Sequence, residues 1–312
     1  MVVILLMKTI VNIMVICGSL IMIYNIYRYI SFTKELKDVM TGEELKNNLL
    51  IKIAFYLLDF FLLGYIGTII FDKLDILIAG ILLGGSIFVS LVLTLMRQLV
   101  DTVKDRSMQI SEVLIGVIEA RDPNLNGHSE YVKNLTMLIY KYLPHNLKIK
   151  INPISLQYAA LLHDLGKLGV PEAILNKEGK LSSKEMEIMK RHPEIAVQIL
   201  KPLNNFAQIK EWILFHHERV DGKGYYGVAD KNIPLAAKII SVADTYSVIT
   251  MRRSYKSPKS YEEAIEIMRI SSNTQLDKEI VKIFMSIPKN EVVKCAPKSV
   301  DINATCYLSN IS

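Results

Sequence analysis

The sequence predicts an all-α protein, in which three N-terminal transmembrane helices precede a separate helical domain. Two observations lead to this prediction. Of the 312 residues, 51% are hydrophobic and the mean hydropathy is +0.27, which is too apolar for a purely soluble chain of this length. Beyond residue 97 the apolar residues recur at helical spacing, and no alternating pattern typical of strands stands out.

Three apolar segments form the predicted membrane region, which covers residues 1–98. Residues 9–30, 49–71 and 74–96 each have about the 20 residues that a helix needs to cross the hydrocarbon core of a bilayer. Asp59 lies near the middle of the second segment, where an acid either marks a ligand or proton site or bonds to a neighbouring helix. The lipid bilayer is therefore an expected partner.

Basic residues predict the orientation of the membrane region. The segment between the first two helices is rich in lysine, the turn before the third holds only Lys73, and Arg97, Lys104 and Arg106 follow the third helix. The positive-inside rule puts the chain after residue 97 in the cytoplasm and the N-terminus outside, as in a multi-pass cell-membrane protein. These bases also account for part of the net charge of +6, so we expect no DNA or RNA partner.

The predicted helical domain covers residues 99–285 and begins with a connecting helix. Apolar residues in 97–121 fit either a continuous helix that leaves the membrane and pairs in a homodimer, or an amphipathic helix that packs on its own domain. Ser182 with Glu185, and Ser260 with Glu263, are capping-box patterns that predict helix starts. Residues 286–312 show no clear period and are predicted to form a loose tail.

Five of the six histidines lie in short polar motifs of this domain, together with two aspartates. The three cysteines are far apart and none belongs to the set. Imidazole and carboxylate donors without thiolates disfavour a structural zinc site and favour Fe or Mn. The donors suffice for two divalent metal ions, and they are His128, His163, Asp164, His192, His216, His217 and Asp244.

Two adjacent pairs strengthen the metal interpretation. His163 and Asp164 follow the apolar run 158–162, where strongly polar side chains need buried partners. Because adjacent helical residues point about 100° apart, His163 can bind one ion while Asp164 bridges to a second. His216 and His217, in the stretch FHHERVDGKGYYG, fit one imidazole per metal, or one metal ligand and one substrate contact.

The ordered motifs of the domain resemble those of a known family. ARDPNLNGHSEYV, LLHDLGKLG, KRHPEIA, HHERVDGKGYYG, SVADTYS and RRSYK are similar to the HD superfamily of metal-dependent phosphohydrolases, and more closely to its HD-GYP branch. Members of that branch hydrolyse cyclic di-GMP. The resemblance covers residues 107–285 and implies an HD-type helical domain. It also implies a phosphodiesterase that opens one 3′–5′ phosphodiester of cyclic di-GMP to give linear pGpG.

The resemblance further implies roles for single residues. The histidines and aspartates named above match residues that line a di-iron or di-manganese centre, with Asp164 bridging the two metals. Asp164 and Lys167 are the implied catalytic residues, and Lys167 also contacts a substrate phosphate. The other implied substrate contacts are Gly224, Tyr225, Arg253 and Lys256.

The chain departs from the family pattern at several positions. The Gly-Tyr-Pro turn ends here in Tyr226, and because tyrosine does not fix φ we expect a more mobile turn. Ser247 stands where the family has an aspartate. Asn124 stands where some members have a glutamate for a third metal, which favours a two-metal site.

Cyclic di-GMP or a related nucleotide is therefore the expected substrate, and two alternatives stay open. One is an HD-type phosphohydrolase that acts on another nucleotide, cyclic or linear. The other is a catalytically impaired module that binds a nucleotide or a protein partner and relays a membrane signal. Metal content and a turnover assay distinguish these possibilities.

Overall fold

The computed structural model describes residues 2–36, 48–70, 75–121, 127–203, 206–251 and 257–297. Helices dominate these residues, and the pairing of extended backbone found among them is an isolated bridge between Ser272 and Leu276. The predicted all-α class is therefore confirmed. The chain divides into two compact units, residues 1–107 and 108–312.

Three long helices begin the chain: α1 (Val2–Glu35), α2 (Leu49–Ile70) and α3 (Ile76–Arg121). All three are long and apolar enough to cross a membrane, which confirms the prediction of three spans by length and composition. Helix α3 runs unbroken to Arg121, so the connecting segment continues the third span.

Polar side chains in the first unit are paired within the helix bundle. Asn25 on α1 donates to the carbonyl oxygen of Ser86 on α3 at 2.8 Å, and the hydroxyl oxygens of Ser86 and Tyr65 are 2.8 Å apart. Gly18 makes room for Tyr65, since a Cβ at that position would lie 2.0 Å from the tyrosine hydroxyl oxygen. Because lipid tails offer no hydrogen-bond partners, such internal pairing stabilises helices in a bilayer.

The second unit is built from shorter helices around one core. The core lies where α4, α6 and α11 pack, and Leu135, Leu156 and Ile240 are fully buried in it. The helices are α4 (His128–Tyr142), α5 (His145–Lys148), α6 (Pro153–Leu162), α7 (Glu172–Leu175), α8 (Ser183–Met189), α9 (His192–Ile199), α10 (Ala207–Leu214), α11 (Leu235–Thr250), α12 (Tyr261–Ser271), α13 (Lys278–Met285) and α14 (Lys289–Val293). Short 3-10 turns occupy Leu165–Gly169 and Asp230–Asn232.

Local sequence explains where two of these helices begin. Ser182 and Glu185 form a complete capping box at the start of α8, and Ser260 and Glu263 form one at the start of α12. In each box the serine side chain and the glutamate side chain satisfy backbone N–H groups that the first helical turn leaves unpaired. Both predicted helix starts are confirmed.

The segment predicted as a loose tail contains helix α14, which follows Pro288. Its Val292 is fully buried against the core, and Glu291 accepts a hydrogen bond from Lys141 of α4 at 2.8 Å. Contacts with distant parts of the chain therefore order a stretch that has no periodic pattern of its own. The rest of that tail, residues 298–312, lies outside the described residues.

The 3-10 turn after α6 lies directly against the start of α9. A Cβ on Gly166 would lie 1.7 Å from the carbonyl oxygen of His192 and 2.6 Å from the backbone nitrogen of Ala196. Glycine is therefore required at this position for the close approach. The contact places His192 beside the turn that follows His163 and Asp164.

Candidate metal centre

The structure brings all seven predicted metal ligands together in the second unit. His128 and His192 stand at helix starts, and Asp244 lies on α11. The four that follow helix ends are His163, Asp164, His216 and His217. Five of them are buried, while His217 and Asp244 are partly exposed. Because the ligands lie mostly at helix ends, their side chains can reach one point from several directions.

Asp164 lies at the centre of the cluster and belongs to two groups of donors. One group joins it to His128 and His163, and the other to His192, His216 and His217, with the donor atoms of each group within 4.8 Å of one another. Its Oδ2 is 3.4 Å from the Nε2 of His163, and its Oδ1 is 3.3 Å from the Nε2 of His192. A carboxylate with one oxygen toward each group is arranged to bridge two cations.

Asp244 extends the first of these groups. Its Oδ1 is 3.3 Å from the Nε2 of His128, and that nitrogen is 3.6 Å from Asp164 Oδ2. His128 therefore lies between two carboxylates. Helix α11 supplies the second carboxylate to a group that otherwise comes from α4 and the end of α6.

Three of the histidines have their ring orientation fixed by the helix that carries or precedes them. The Nδ1 atoms of His163, His192 and His216 lie 2.8, 2.9 and 2.6 Å from the carbonyl oxygens three residues earlier, at Ala160, Met189 and Ile213. A carbonyl can only accept, so each Nδ1 carries a proton, and in the neutral ring the Nε2 keeps a lone pair.

Those three Nε2 atoms are buried and have no hydrogen-bond partner among the residues that the structure describes. Leaving a buried acceptor unpaired costs free energy, so three at one point indicate a partner from outside the chain. Neutral imidazoles and carboxylates are suitable ligands for divalent Fe or Mn, and backbone carbonyls on the opposite ring nitrogens are typical of metal-bound histidine. The residues present fit a metal centre.

Ser247 orients the fourth imidazole. Its Oγ is 2.9 Å from the Nδ1 of His128, and its hydroxyl donates to the sulfur of Met251 at 3.3 Å. Which of the two atoms donates depends on the His128 tautomer, and a His128 that held a metal through Nε2 would donate from Nδ1 to the serine oxygen. Ser247, which stands where the family has an aspartate, therefore still contacts a predicted metal ligand.

Burial is the largest influence on the histidine pKa values. It lowers the pKa of His192 to about 3 and that of His217 to about 4, and it also lowers the pKa values of His128 and His216. For His163, burial acts to lower the pKa, but the adjacent Asp164 carboxylate outweighs burial and raises it.

The two carboxyl groups stay ionised despite burial. Burial acts to raise the pKa of Asp164, but the Lys167 ammonium and the neighbouring imidazoles outweigh it and hold that pKa well below its ordinary value. Burial likewise opposes ionisation of Asp244, and the His128 hydrogen bond lowers its pKa. At neutral pH the two carboxylates are therefore ionised and the imidazoles of His128, His192, His216 and His217 are neutral, the form that binds metal.

Lys167 lies in the 3-10 turn and contacts the cluster directly. Its Nζ is 2.6 Å from the Oδ2 of Asp164, and the side chain is largely buried. The predicted phosphate contact is thus adjacent to the shared carboxylate. Arg253, Lys256 and Asn124 lie outside the described residues.

A cavity of about 460 Å³ opens beside His217 and Asp244. The ring of Tyr225 lies 4.6 Å from the His217 ring, centroid to centroid, and the Nζ of Lys190 lies 5.4 Å from the Tyr225 centroid. The predicted substrate contacts Gly224 and Tyr225 both line the cavity. The remaining lining residues are Lys190, Glu218, Arg219, Lys223, Ser241, Thr245, Val248, Ile249 and Gln275.

Three residues that the sequence interpretation missed support the cluster. Glu119, near the end of α3, accepts from the backbone N–H groups of Gly127 and Ser129, which flank His128, at 2.9 and 3.2 Å. Arg121 donates to the carbonyl oxygen of Leu168 at 2.7 Å. Glu218 is 3% exposed and binds two backbone N–H groups of the loop that follows it. In the sequence, the one indication of a role for Glu218 is its position directly after His216 and His217.

Comparisons with known proteins identify relatives of this chain. A cyclic di-GMP phosphodiesterase of Thermotoga maritima is 36% identical over 60% of this chain and 50% of its own length. A 3′3′-cGAMP-specific phosphodiesterase of Vibrio cholerae is 37% identical over 52% of this chain and 35% of its own length. This chain therefore spans half or less of either relative.

Among solved structures, the HDG"Y"P protein Bd1817 from Bdellovibrio bacteriovorus is 20% identical, covers 62% of this chain and 63% of its own, and has a TM-score of 0.44. The family comparison identifies the family of the second unit. Residues 112–280, more than half of the chain, match the HD domain family, and they include every histidine and aspartate of the cluster. The chain belongs to the HD domain family.

Proposed function

We propose that the protein is a membrane-anchored, metal-dependent cyclic di-GMP phosphodiesterase that hydrolyses one 3′–5′ phosphodiester to give pGpG. The observation that carries the proposal is Asp164, which is shared by two groups of histidines, three of whose buried Nε2 atoms have no partner in the described part of the chain. The name and identity of the Thermotoga maritima relative support the choice of substrate.

Seven residues would hold two divalent ions, most suitably Fe or Mn. Asp164 would contribute to both ions, and its partners would be His128, His163, His192, His216, His217 and Asp244. Two such cations, when bound, neutralise charge on phosphoryl oxygens and make water a nucleophile at neutral pH.

Lys167 and Asp164 are the proposed catalytic residues. The ammonium of Lys167 is a point charge 2.6 Å from the shared carboxylate, so a phosphate bound there would face both the lysine and the cluster. Asp164 keeps its negative charge because Lys167 and the imidazoles hold its pKa low. Tyr225 offers an aromatic face to a base in the cavity, and Gly224 keeps the turn close to Glu218. Arg253 and Lys256 are proposed from the sequence alone as further phosphate contacts.

A second candidate substrate is 3′3′-cGAMP. The Vibrio cholerae relative that is specific for it is 37% identical over 52% of this chain, and Tyr226, where this chain departs from the family pattern, directly follows two residues that line the cavity. Both substrates share the phosphodiester chemistry and differ in one base. Comparing kcat/KM for the two cyclic dinucleotides distinguishes them.

The proposed location is the cell membrane, with the second unit in the cytoplasm and the N-terminus outside. Support comes from three helices that are apolar enough to span a bilayer and from basic residues after the third. A reporter enzyme active only outside the cytoplasm, fused after residue 121, should be inactive; activity there would contradict the orientation.

A homodimer is proposed on the outer face of α3 in the second unit. Ile115 and Ile118 are buried in the core. Ile110, Val113 and Val117 share the outer face of the helix and are 63%, 68% and 54% exposed. Exposed aliphatic side chains at spacings of three and four residues are typical of a helix that pairs with another helix. A second copy of the same helix would cover them.

The proposed activity is tested by metal analysis together with a turnover assay on the detergent-solubilised chain. We expect two equivalents of Fe or Mn and release of pGpG from cyclic di-GMP. The double variant His163→Ala with Asp164→Ala should lose metal and activity, whereas His145→Ala, outside the cluster, should keep both. Two equivalents of metal without pGpG would exclude the activity, and unchanged metal in the double variant would exclude the site.

A further inference from the structure

Glu218 is a buried acid whose carboxylate is directed at its own loop, residues 218–228. Only 3% of the residue is exposed. Its Oε1 accepts from the backbone N–H of Tyr226 at 2.6 Å, and its Oε2 accepts from the backbone N–H of Val228 at 2.8 Å. A buried carboxylate is costly unless such bonds satisfy it, and bonds to a charged acceptor are stronger than neutral ones.

The loop wraps closely around this side chain. A Cβ on Gly224 would lie 2.6 Å from both the Cα and the Oε2 of Glu218. Gly227 has φ +68°, a left-handed conformation that glycine adopts without strain, and it lies between the two bonded N–H groups. The two glycines thus permit the backbone to close on the carboxylate.

The hydrogen bonds flank the residue that faces the cavity. Tyr225 comes directly before the bonded Tyr226, and its ring lies against His217 with a centroid distance of 4.6 Å and an interplanar angle of 36°. Tyr225 also lines the 460 Å³ cavity. Any motion of the turn would therefore move an aromatic wall of the cavity that lies against a predicted metal ligand.

Tyr226 stands where the family's turn has proline, and its bond to Glu218 uses an atom that proline lacks. Proline restrains a turn through its ring and has no backbone N–H. Tyrosine leaves φ free, but its backbone N–H can donate a hydrogen bond, and here it donates to a buried carboxylate. The expectation of a more mobile turn did not include this hydrogen bond.

We propose that Glu218 is a positioning residue that fixes the 224–226 turn, and that in this chain the fixing contact is the hydrogen bond from the Tyr226 N–H, which a proline at that position could not donate. The effect on cyclic-dinucleotide binding rests on the proposed function. The effect on the loop itself does not.

The test compares Tyr226→Pro with Tyr226→Ala in the full chain. Proline removes the N–H, whereas alanine removes the phenol and keeps the N–H. We expect the Val228 amide to exchange with deuterium at least about tenfold faster in Tyr226→Pro, as loss of one hydrogen bond to a charged acceptor implies. We also expect KM to rise about tenfold with a smaller change in kcat and with metal content unchanged. Tyr226→Ala should stay within about twofold of the parent in each quantity.

The opposite result would overturn the proposal. If Tyr226→Pro matches or improves on the parent in Val228 exchange, the tyrosine N–H has no positioning role. If Tyr226→Pro loses its metals, the Glu218→Gln variant tests the proposal instead, because glutamine accepts only one of the two N–H groups. A Val228 amide exchange rate in Glu218→Gln equal to that of the parent would also overturn the proposal. If the parent hydrolyses no cyclic dinucleotide, the proposed function fails while amide exchange still tests the loop.

Discussion

A single hydroxyl group links Ser247 of α11 to His128 of α4 across 119 positions of sequence. With a metal on Nε2, the His128 ring would carry its proton on Nδ1 and donate it to this oxygen. An acceptor on the second ring nitrogen fixes the tautomer and the direction of the first. A serine can do this without the charge of an aspartate, so the departure from the family pattern leaves the orienting contact in place.

Ser247→Ala removes this acceptor and should weaken metal binding. Loss of an outer contact of this kind typically lowers metal affinity about tenfold or more, and we expect that loss at the ion held by His128. Metal titration of the purified chain measures it. Thr250→Ala is the matched control, since Thr250 lies on the same helix and its hydroxyl donates to the Tyr246 carbonyl. Equal affinities in the two variants would contradict the orienting role.

The residue types of the cluster could be predicted because His163, Asp164 and Asp244 follow apolar helical runs and because the ordered motifs resemble those of the HD-GYP branch. Strongly polar side chains at such positions need buried partners, and a metal ion is a suitable one. The contacts of Ser247, Glu119 and Glu218 could not be predicted in the same way. They depend on which helix ends meet in space, and Glu218 bonds to N–H groups eight and ten residues later in a loop without a period.

At the scale of elements, Gly166 determines how closely α9 approaches the turn after His163. Gly166→Ala would place a methyl group 1.7 Å from the His192 carbonyl oxygen. The backbone must therefore shift, and the shift moves His192 away from Asp164. We expect destabilisation of about 3 kcal/mol or more. Gly116→Ala is the control: nothing lies within 4 Å of the added methyl group, and alanine in an exposed helix stabilises by roughly 0.5–1 kcal/mol. Chemical denaturation measures both, and equal midpoints would contradict the close-contact argument.

Arg121 at the end of α3 stabilises the turn that carries Lys167. Its guanidinium donates to the carbonyl oxygens of Leu168 at 2.7 Å and Val170 at 3.4 Å. Arg121→Ala should cost about 2 kcal/mol, because a partly buried, charged donor is lost from two carbonyls. Arg269→Ala, which removes an exposed surface pair with Glu266, should leave the free energy of unfolding close to that of the parent. Equal losses would show that Arg121 acts only as a surface charge.

The long helices were predictable from periodicity and length, and the short elements were not. Runs of apolar residues of membrane-spanning length predict α1 to α3 directly, and the capping boxes predict the starts of α8 and α12. Helix α14 and the 3-10 turns are too short to show a period. They form because Val292 and Leu165 find buried positions on neighbouring helices, which is a tertiary effect.

For the whole molecule, binding of metal should add to the stability of the fold. The ligands come from five helices, so an ion held between them stabilises their packing against unfolding. At a free ion concentration one hundred times Kd, one site contributes about 2.7 kcal/mol, which corresponds to a Tm increase of roughly 5–10 °C for a domain of this size. A chelator should therefore lower the Tm of the parent by that amount. It should leave the His163→Ala, Asp164→Ala double variant unchanged, and an equal decrease in both proteins would place the effect outside the cluster.

The outer stripe of α3, defined by Ile110, Val113 and Val117, should determine whether the protein is a dimer. Burying each aliphatic side chain against its copy contributes about 1.5–3 kcal/mol at most. The helices would pair in parallel because both leave the same membrane. Ile110→Glu with Val117→Glu places like charges opposite each other, so light scattering in detergent should show a monomer. Ile149→Glu changes a residue that is 71% exposed outside this stripe and should leave the dimer intact. A monomeric parent, or a double variant that stays dimeric, would show that α3 does not pair through this face.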